Sequence, residues 1–416
     1  MQQHAVVIGG GIGGLTTAVA LHQQGRPVTV LERAASLAPV GAGIGLAPNS
    51  QRALDVIGLG DRVRELAAWQ GDGGMRTPSG RWLVRLDAAA VAARFGGALV
   101  LLHRAALVDL LVSALPEGTV RTGVTASVAD PGDDERPAVV ALGDGETIEA
   151  GLVVAADGIH SAVRRGLFPD HPGPEYSGFT TWRVVVPAPD RPFAPHETWG
   201  RGRLWGTQPL KDGRIYAYAM AVAPAGDRAP DDERAELLRH FGDWHDPIPA
   251  ILAATSPEGM LRHDVHHLIT PLPAFHRGRV ALLGDAAHAM EPTLAQGGNQ
   301  AIEDGIVLAH HAAGGLPPSR ALAGYTADRL PRTTDIVRKA ARAGRLTTMS
   351  SRPGVAVRDV LVAAVSRFGP GLVLRGFDGI ADWSPPGATY AADRRDLREQ
   401  RELRGPQDLR GHDVTK

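Results

Sequence analysis

Ala5-Val6-Val7-Ile8-Gly9-Gly10-Gly11-Ile12-Gly13-Gly14 is the stretch from which the rest of the chain is read. The apolar run suits a strand buried on both faces. Gly9, Gly11 and Gly14 then satisfy G-x-G-x-x-G. Residues 15–24 read as a helix closed by Gly25, and residues 27–31 as a second strand ending on Glu32. The glycines permit a tight turn, let backbone N–H groups approach a pyrophosphate, and let the helix pack on the strand. Glu32 follows at the distance where a carboxylate accepts from ribose hydroxyls. The pattern predicts a bound dinucleotide and by itself does not separate FAD from NAD.

Working outward, the chain has 416 residues, enough for two or three domains, and 44% hydrophobic residues, an ordinary globular composition. Lys+Arg 44 balance Asp+Glu 45 for a net charge of -1, so no basic excess invites nucleic acid or an anionic membrane. There are no cysteines. Thiolate catalysis, disulfides, Cys-ligated zinc and iron–sulfur clusters are excluded, and the absence fits a cytoplasmic protein. No metal site is expected. No apolar run is long enough to span a membrane, and the N-terminus lacks the pattern of a signal peptide.

Two later motifs repeat the logic of a strand ending in an acid and a glycine. Residues 152–156 run into Asp157-Gly158, and residues 279–283 into Gly284-Asp285-Ala286-Ala287-His288. Pro292, Gln296-Gly297-Gly298-Asn299 and a helix bearing Glu303-Asp304 follow the second. Carboxyl ends of strands in open α/β sheets are where ligands bind. His288 reads as a packed, hydrogen-bonded residue rather than an acid or base.

With these motifs in this order, the chain resembles the single-component FAD-dependent aromatic hydroxylases, the group A flavoprotein monooxygenases. Residues 102–107, around Arg104, and Tyr325 with Arg329-Leu330-Pro331-Arg332 extend the resemblance over roughly residues 4–390. It implies an α/β fold: a Rossmann-like FAD-binding domain of GR2 type, an inserted antiparallel β-sheet substrate domain, and C-terminal helices. The expected division is 1–70, 97–174 and 277–390 for FAD, 71–96 and 175–276 for substrate, and a charged tail at 391–416.

The resemblance also implies roles. Gly9, Gly11, Ile12, Gly13 and Gly14 would hold the pyrophosphate, Glu32 the adenosine ribose with Arg33 beside it, and Val124 the adenine end. Arg104 and Gly43 would contact FAD, Gly284 and Asp285 the ribityl chain, and Asp157 both FAD and the reduced nicotinamide. Gly297, Gly298 and Asn299 would start a helix aimed at the flavin pyrimidine edge, where a helix N-terminus stabilises negative charge. Pro292 would lie against the reactive edge of the ring. Many family members carry glycine where this chain has Ala295; that should shift loop packing slightly and leave FAD binding intact.

From residue 174 to 276 the pattern turns to long strands. Residues 176–186, 198–205 and 215–222 read as strands, the last two separated by the turn Lys211-Asp212-Gly213. Tyr216, Tyr218 and Met220 alternate onto one face. Trp182 and Trp205 lie on adjoining strands, and with these three make the expected substrate wall, apolar and flat. Tyr216 is the foremost candidate, because urate hydroxylases of the family carry Tyr there. Those enzymes also carry Arg where this chain has Leu204, which argues against urate; Arg203 should point to the opposite face. Tyr216 and Tyr218 could relay a proton, and His196 and His245 read as surface residues of loops.

The implied cycle is hydride delivery from transient NADPH or NADH, reaction of reduced FAD with O2 to a C4a-hydroperoxide, and oxygen transfer to an electron-rich aromatic or polycyclic substrate. Tyr216 and Pro292 would serve that chemistry. Alternatives are an epoxidase on an alkene, isoprenoid or indole intermediate, a flavin-dependent reductase, and a non-catalytic flavin binder. A halogenase is disfavoured, because residues 244–249 lack the second Trp of its W-x-W-x-I-P segment. Monomer and homodimer both stay open.

Overall fold

The structure is a computed structural model and describes residues 4–37, 42–67, 72–189, 193–368 and 375–387; the charged tail at 391–416 lies outside the described residues. Two large sheets organise it. The first has six strands, in the spatial order His276–Arg277, Val280–Leu282, Leu152–Ala155, Ala5–Ile8, Val28–Glu32 and Val120–Thr122. All its pairings are parallel except that of the short edge strand His276–Arg277. Ala5–Ile8 is completely sequestered in the centre, as its unbroken apolar run requires. The parallel order carries Glu32, Gly9, Asp157 and Gly284 to the same edge of the sheet, although 252 residues separate the first from the last.

The first helix is Ile12–Gln23, beginning inside the glycine motif rather than after it. Gly9 has φ +113°, a region closed to L side chains. A Cβ on Gly14 would overlap the Gly9 carbonyl, so the helix rises directly off the strand. Behind it packs the helix Gly297–Ala313, and across that the long helix Pro318–Thr347.

The second sheet has seven strands: Leu261–His267, Glu175–Pro187, Arg214–Val222, Arg203–Pro209, His196–Trp199, Gly73–Arg76 and Trp82–Leu86. The strand expected over 198–205 is in fact a hairpin, because the chain turns at 200–202, with Gly202 at φ +62°. Register fixes the two faces. Trp182 and Trp205 both pair with Ala219, so they stand opposite to Tyr218 and Met220. The helices Glu233–Phe241 and Ile248–Ala254 cover the tryptophan face. The Trp205 ring lies 5.3 Å from Phe241, whose ring meets Trp244 edge-on at 4.9 Å, and Trp182 Nε1 donates to Glu233 at 2.7 Å. Trp182 and Trp205 therefore do not line a substrate wall; they are core between sheet and helices, where their large apolar areas are most stabilising.

His196 and His245 are also on that covered side. His196 sits in a strand, buried, with its ring 5.3 Å from His245, and burial pulls its pKa down to about 4. His196 is therefore not a surface-loop residue, whereas His245 lies half-buried in the loop between the two helices and bonds back to Thr198 Oγ1 at 2.8 Å.

Truncating the aromatic centre of this layer leaves a cavity. Phe241→Ala should cost about 3–5 kcal/mol, read as a lower urea midpoint, while FAD uptake of the folded protein stays unchanged.

Candidate active site

The carboxyl edge of the parallel sheet forms the floor of a cleft. Gly10 N donates to Glu32 Oε2 at 2.7 Å, and Ala34 N to Oε1 at 2.8 Å, so this carboxylate sits at the mouth of the glycine loop. Val124 N donates to the Glu32 carbonyl at 2.9 Å, which puts Val124 beside it; Arg33 is exposed. A Cβ on Gly11 would meet nothing within 4 Å: the loop faces open space. Asp157 accepts from Val163 N at 3.2 Å, capping the next helix, yet its other oxygen is buried without a partner among the described residues. A buried, unsatisfied carboxylate oxygen calls for a donor from outside the chain.

Arg104 and Asp285 mark the middle of the cleft. Each is solvent-accessible while its chain neighbours Leu102 and Leu107, Gly284 and Ala286 are buried. Protein still surrounds the Arg104 guanidinium on most sides, and that burial lowers its pKa; Arg183 acts in the same direction, and Asp285 and Tyr216 oppose it. These four side chains thus share one region. The arrangement fits an anionic, hydroxyl-bearing dinucleotide: backbone N–H groups and a cation for phosphates, and carboxylates for hydroxyls. Pro292 is accessible between buried Glu291 and the half-buried Thr293.

Gly297 and Gly298 begin the helix Gly297–Ala313. The Asn299 side chain is turned to the protein. Its Oδ1 accepts from Ala47 N at 2.9 Å and from the Ser50 hydroxyl, and its Nδ2 donates to the carbonyls of Gly45 (2.9 Å) and Ala295 (2.6 Å). All its hydrogen-bonding capacity is spent tying the loop at 45–50 to the helix start, so any contact with a flavin falls to the backbone. Ala295 stands at φ +50°, the one non-glycine residue with positive φ among the described residues.

Beneath the cleft lies a buried ionic network. Arg329, 1% exposed, donates to Asp304 (2.6 Å), Glu303 (2.5 Å) and Gln300 (2.8 Å). Asp304 also accepts from Gly284 N at 2.9 Å and from His288 Nε2 at 2.6 Å. Arg332 and Asn49 complete Glu303 at 2.8 and 2.6 Å. Burial alone would raise the Asp304 pKa, but His288 and Arg329 hold it at about 2. The same two carboxylates raise the Arg329 pKa against its own burial. His288, Glu303, Asp304, Arg329 and Arg332 stand in recognisable sequence motifs while Asn49 and Gln300 do not, and no local pattern joins them, since the pairing spans two helices.

Facing the cleft is the uncovered side of the second sheet. Tyr216, Tyr218 and Met220 do share it. Tyr216 packs on Gly43, where any Cβ would overlap its ring, and burial raises its pKa while Arg183 and Arg104 pull it down. Tyr218 lies 5.5 Å from Tyr216 and donates its hydroxyl to Glu197 Oε1 at 2.6 Å. Leu204 is on this face with Phe179, Met220 and Val265, while Arg203 points the other way, its guanidinium 5.9 Å over Trp244. Arg183 and Glu197, both on the open face, were not singled out from the sequence; strand register was the missing signal.

The profile of the FAD binding domain family matches residues 2–340. An aurachin C monooxygenase/isomerase of Stigmatella aurantiaca is 35% identical over 363 residues, covering 87% of this chain and 94% of its own. A 3-amino-4-hydroxybenzoate 2-monooxygenase of Streptomyces cremeus is 35% identical, covering 85% and 90%. Among solved structures, Klebsiella pneumoniae HpxO complexed with FAD and uric acid superposes with a TM-score of 0.82 at 29% identity, covering 92% of this chain and 97% of that one.

Two outcomes check this geometry. Ala295→Gly should stabilise the fold by about 0.5–1 kcal/mol, by relieving a left-handed alanine. Asp304 carries a folded pKa of about 2 against an ordinary 3.8. Its contribution is therefore present above about pH 4 and lost as pH falls toward 2. Asp304→Asn should cost about 3–5 kcal/mol at neutral pH, by taking from buried Arg329 one of its two carboxylates, and flatten the acid limb of a stability-against-pH curve. The chain belongs to the FAD binding domain family, among the aromatic hydroxylase-like FAD-dependent monooxygenases.

Proposed function

We propose that the protein is an FAD-dependent, NAD(P)H-consuming monooxygenase that inserts one atom of O2 into an electron-rich aromatic or polycyclic small molecule. The observation that carries this reading is the opposition of two surfaces: the cleft of Gly11, Arg104, Asp157 and Asp285, and the Tyr216–Tyr218–Met220 face of the second sheet. Bound FAD supplies hydride acceptance and oxygen activation. The chain's own residues do the rest. The glycine loop and Glu32 hold the dinucleotide end, Pro292 and the start of the Gly297–Ala313 helix border the ring, and the sheet excludes water from above.

Arg104 and Arg183 place positive charge beside Tyr216, which favours a ring bearing developing negative charge on oxygen. Among the described residues none takes the Tyr216 hydroxyl, leaving it for a substrate. The Tyr218–Glu197 pair anchors the neighbouring ring. Leu204 makes this wall apolar where an arginine would suit a polar purine, so the favoured substrates are carbocyclic or fused rings rather than urate. The relatives named for aurachin C and 3-amino-4-hydroxybenzoate support that range. The same proposal assigns residues 71–96 and 175–276 to substrate and the remainder up to 390 to FAD, in a cytoplasmic monomer or homodimer. Among the described residues no helix is long and apolar enough to cross a membrane.

The test is a panel of hydroxybenzoates, fused polyphenols, indoles and purines, scored by stimulated NAD(P)H oxidation and by label from isotopic dioxygen in the product. Labelled product from an aromatic member is expected; stimulation with no label in any product would favour a reductase. Tyr216→Phe should lower kcat/KM for the preferred member about tenfold or more, with FAD content unchanged.

A further inference from the structure

On the open face of the second sheet, away from Tyr216, lies a cavity of about 260 Å³. It is walled by Tyr176, Ser177, Phe179 and His267 of the sheet, by Glu291, and by the Gly344–Arg345 turn of the long helix. Phe179 packs with Met220 and Leu204, and Glu291 immediately precedes Pro292, so the cavity adjoins the proposed substrate space.

Its polar groups are unusual. Ser177 Oγ, His267 Nδ1 and Glu291 Oε2 are all buried, and none has a hydrogen-bond partner among the described residues. Glu291 is 4% exposed. His267 Nδ1 lies 3.1 Å from the other carboxylate oxygen, Oε1, but not in hydrogen-bonding geometry. Gly344 makes room for the carboxylate, since any Cβ there would overlap Oε2. The remaining titratable groups of the wall are otherwise placed: the Tyr176 hydroxyl donates to the Ala223 carbonyl at 2.6 Å, and Arg345 is exposed at the rim. A buried carboxylate with an idle oxygen costs free energy until a donor reaches it. The cavity exceeds the roughly 150 Å³ that accepts a benzene ring.

We propose that this cavity is the polar end of the substrate pocket, and that Glu291, with His267 and Ser177, takes a hydrogen-bond donor (a ring hydroxyl or N–H) there. A substrate carboxylate is excluded from this end by the charge of Glu291 and is left to the Arg104–Arg183 end. The inference rests on the monooxygenase reading for its meaning, but the cavity can be probed without turnover.

Phenol, anisole and benzoate serve as probes in calorimetric titrations of the full chain. Phenol should bind the wild-type protein about tenfold or more tightly than either of the others, as sites built to pair a hydroxyl do. Glu291→Gln should weaken phenol about tenfold and leave anisole unchanged. Gly344→Ala, which displaces the carboxylate by crowding, should reproduce that selective loss if Glu291→Gln fails to fold. Equal affinity for phenol and anisole in the wild type, or equal loss of both in the variants, would overturn the proposal. A chain that takes up no FAD yet shows the phenol selectivity would sink the flavin reading alone; one that takes up FAD without the selectivity would sink this inference alone.

Discussion

The structure depends on a guanidinium buried away from solvent. Arg329 is buried between two helices and divided among Asp304, Glu303 and Gln300. Such a charge is tolerable only when every neighbour is placed, and removing one partner exposes the full desolvation cost of the other. Asp304 passes the constraint outward, because its second oxygen receives Gly284 N and His288. The loop that offers Asp285 to the cleft is thus positioned from below by ionic chemistry rather than by its own sequence. Glu303 extends it sideways to Asn49 and Arg332, and Asn299, one turn earlier, ties down residues 45–50.

Above this base, the parallel strand order does the gathering. Adjacent strands run the same way, so their acidic and glycine-rich ends meet along one edge whatever their separation in sequence. The second sheet solves a different problem. One side is sealed by Trp182, Trp205, Phe241 and Trp244 beneath two short helices. The other side is left for Tyr216, Tyr218, Met220 and Arg183, with small residues such as Gly43 allowing the tyrosine ring to lie close to the first sheet's loops. A rigid covered face and a chemically varied open face are what a specificity wall on a shared cofactor platform requires.

The glycine loop, Glu32 and the Asp157 and Asp285 turns were legible in the sequence because each is a local strand-turn-helix pattern. The alternation of Tyr216, Tyr218 and Met220 was legible for the same reason. Trp182 and Trp205 were not, because which face of a strand is covered depends on its register and on helices sixty residues away in some cases. The 198–205 segment hid a hairpin, since Gly200 and Gly202 are no stronger as turn signals than many other glycines here. Asn299 stands at the helix start where expected, and its side chain ties down the backbone of residues 45–47 and Ala295, a tie that only the fold reveals. Glu291 with His267, and Arg329 with Asp304, join residues 24 and 25 apart across different elements, beyond any local pattern.

The most direct measurement of the central claim is a fluorescence titration of the cofactor-free chain with FAD. One FAD per chain should bind, with FMN and NAD failing to compete, because the loop of Gly9, Gly11 and Gly14, Glu32 and the Arg104–Asp285 centre together span a flavin dinucleotide. Absence of saturable FAD binding, or equal competition by NAD, would contradict the account.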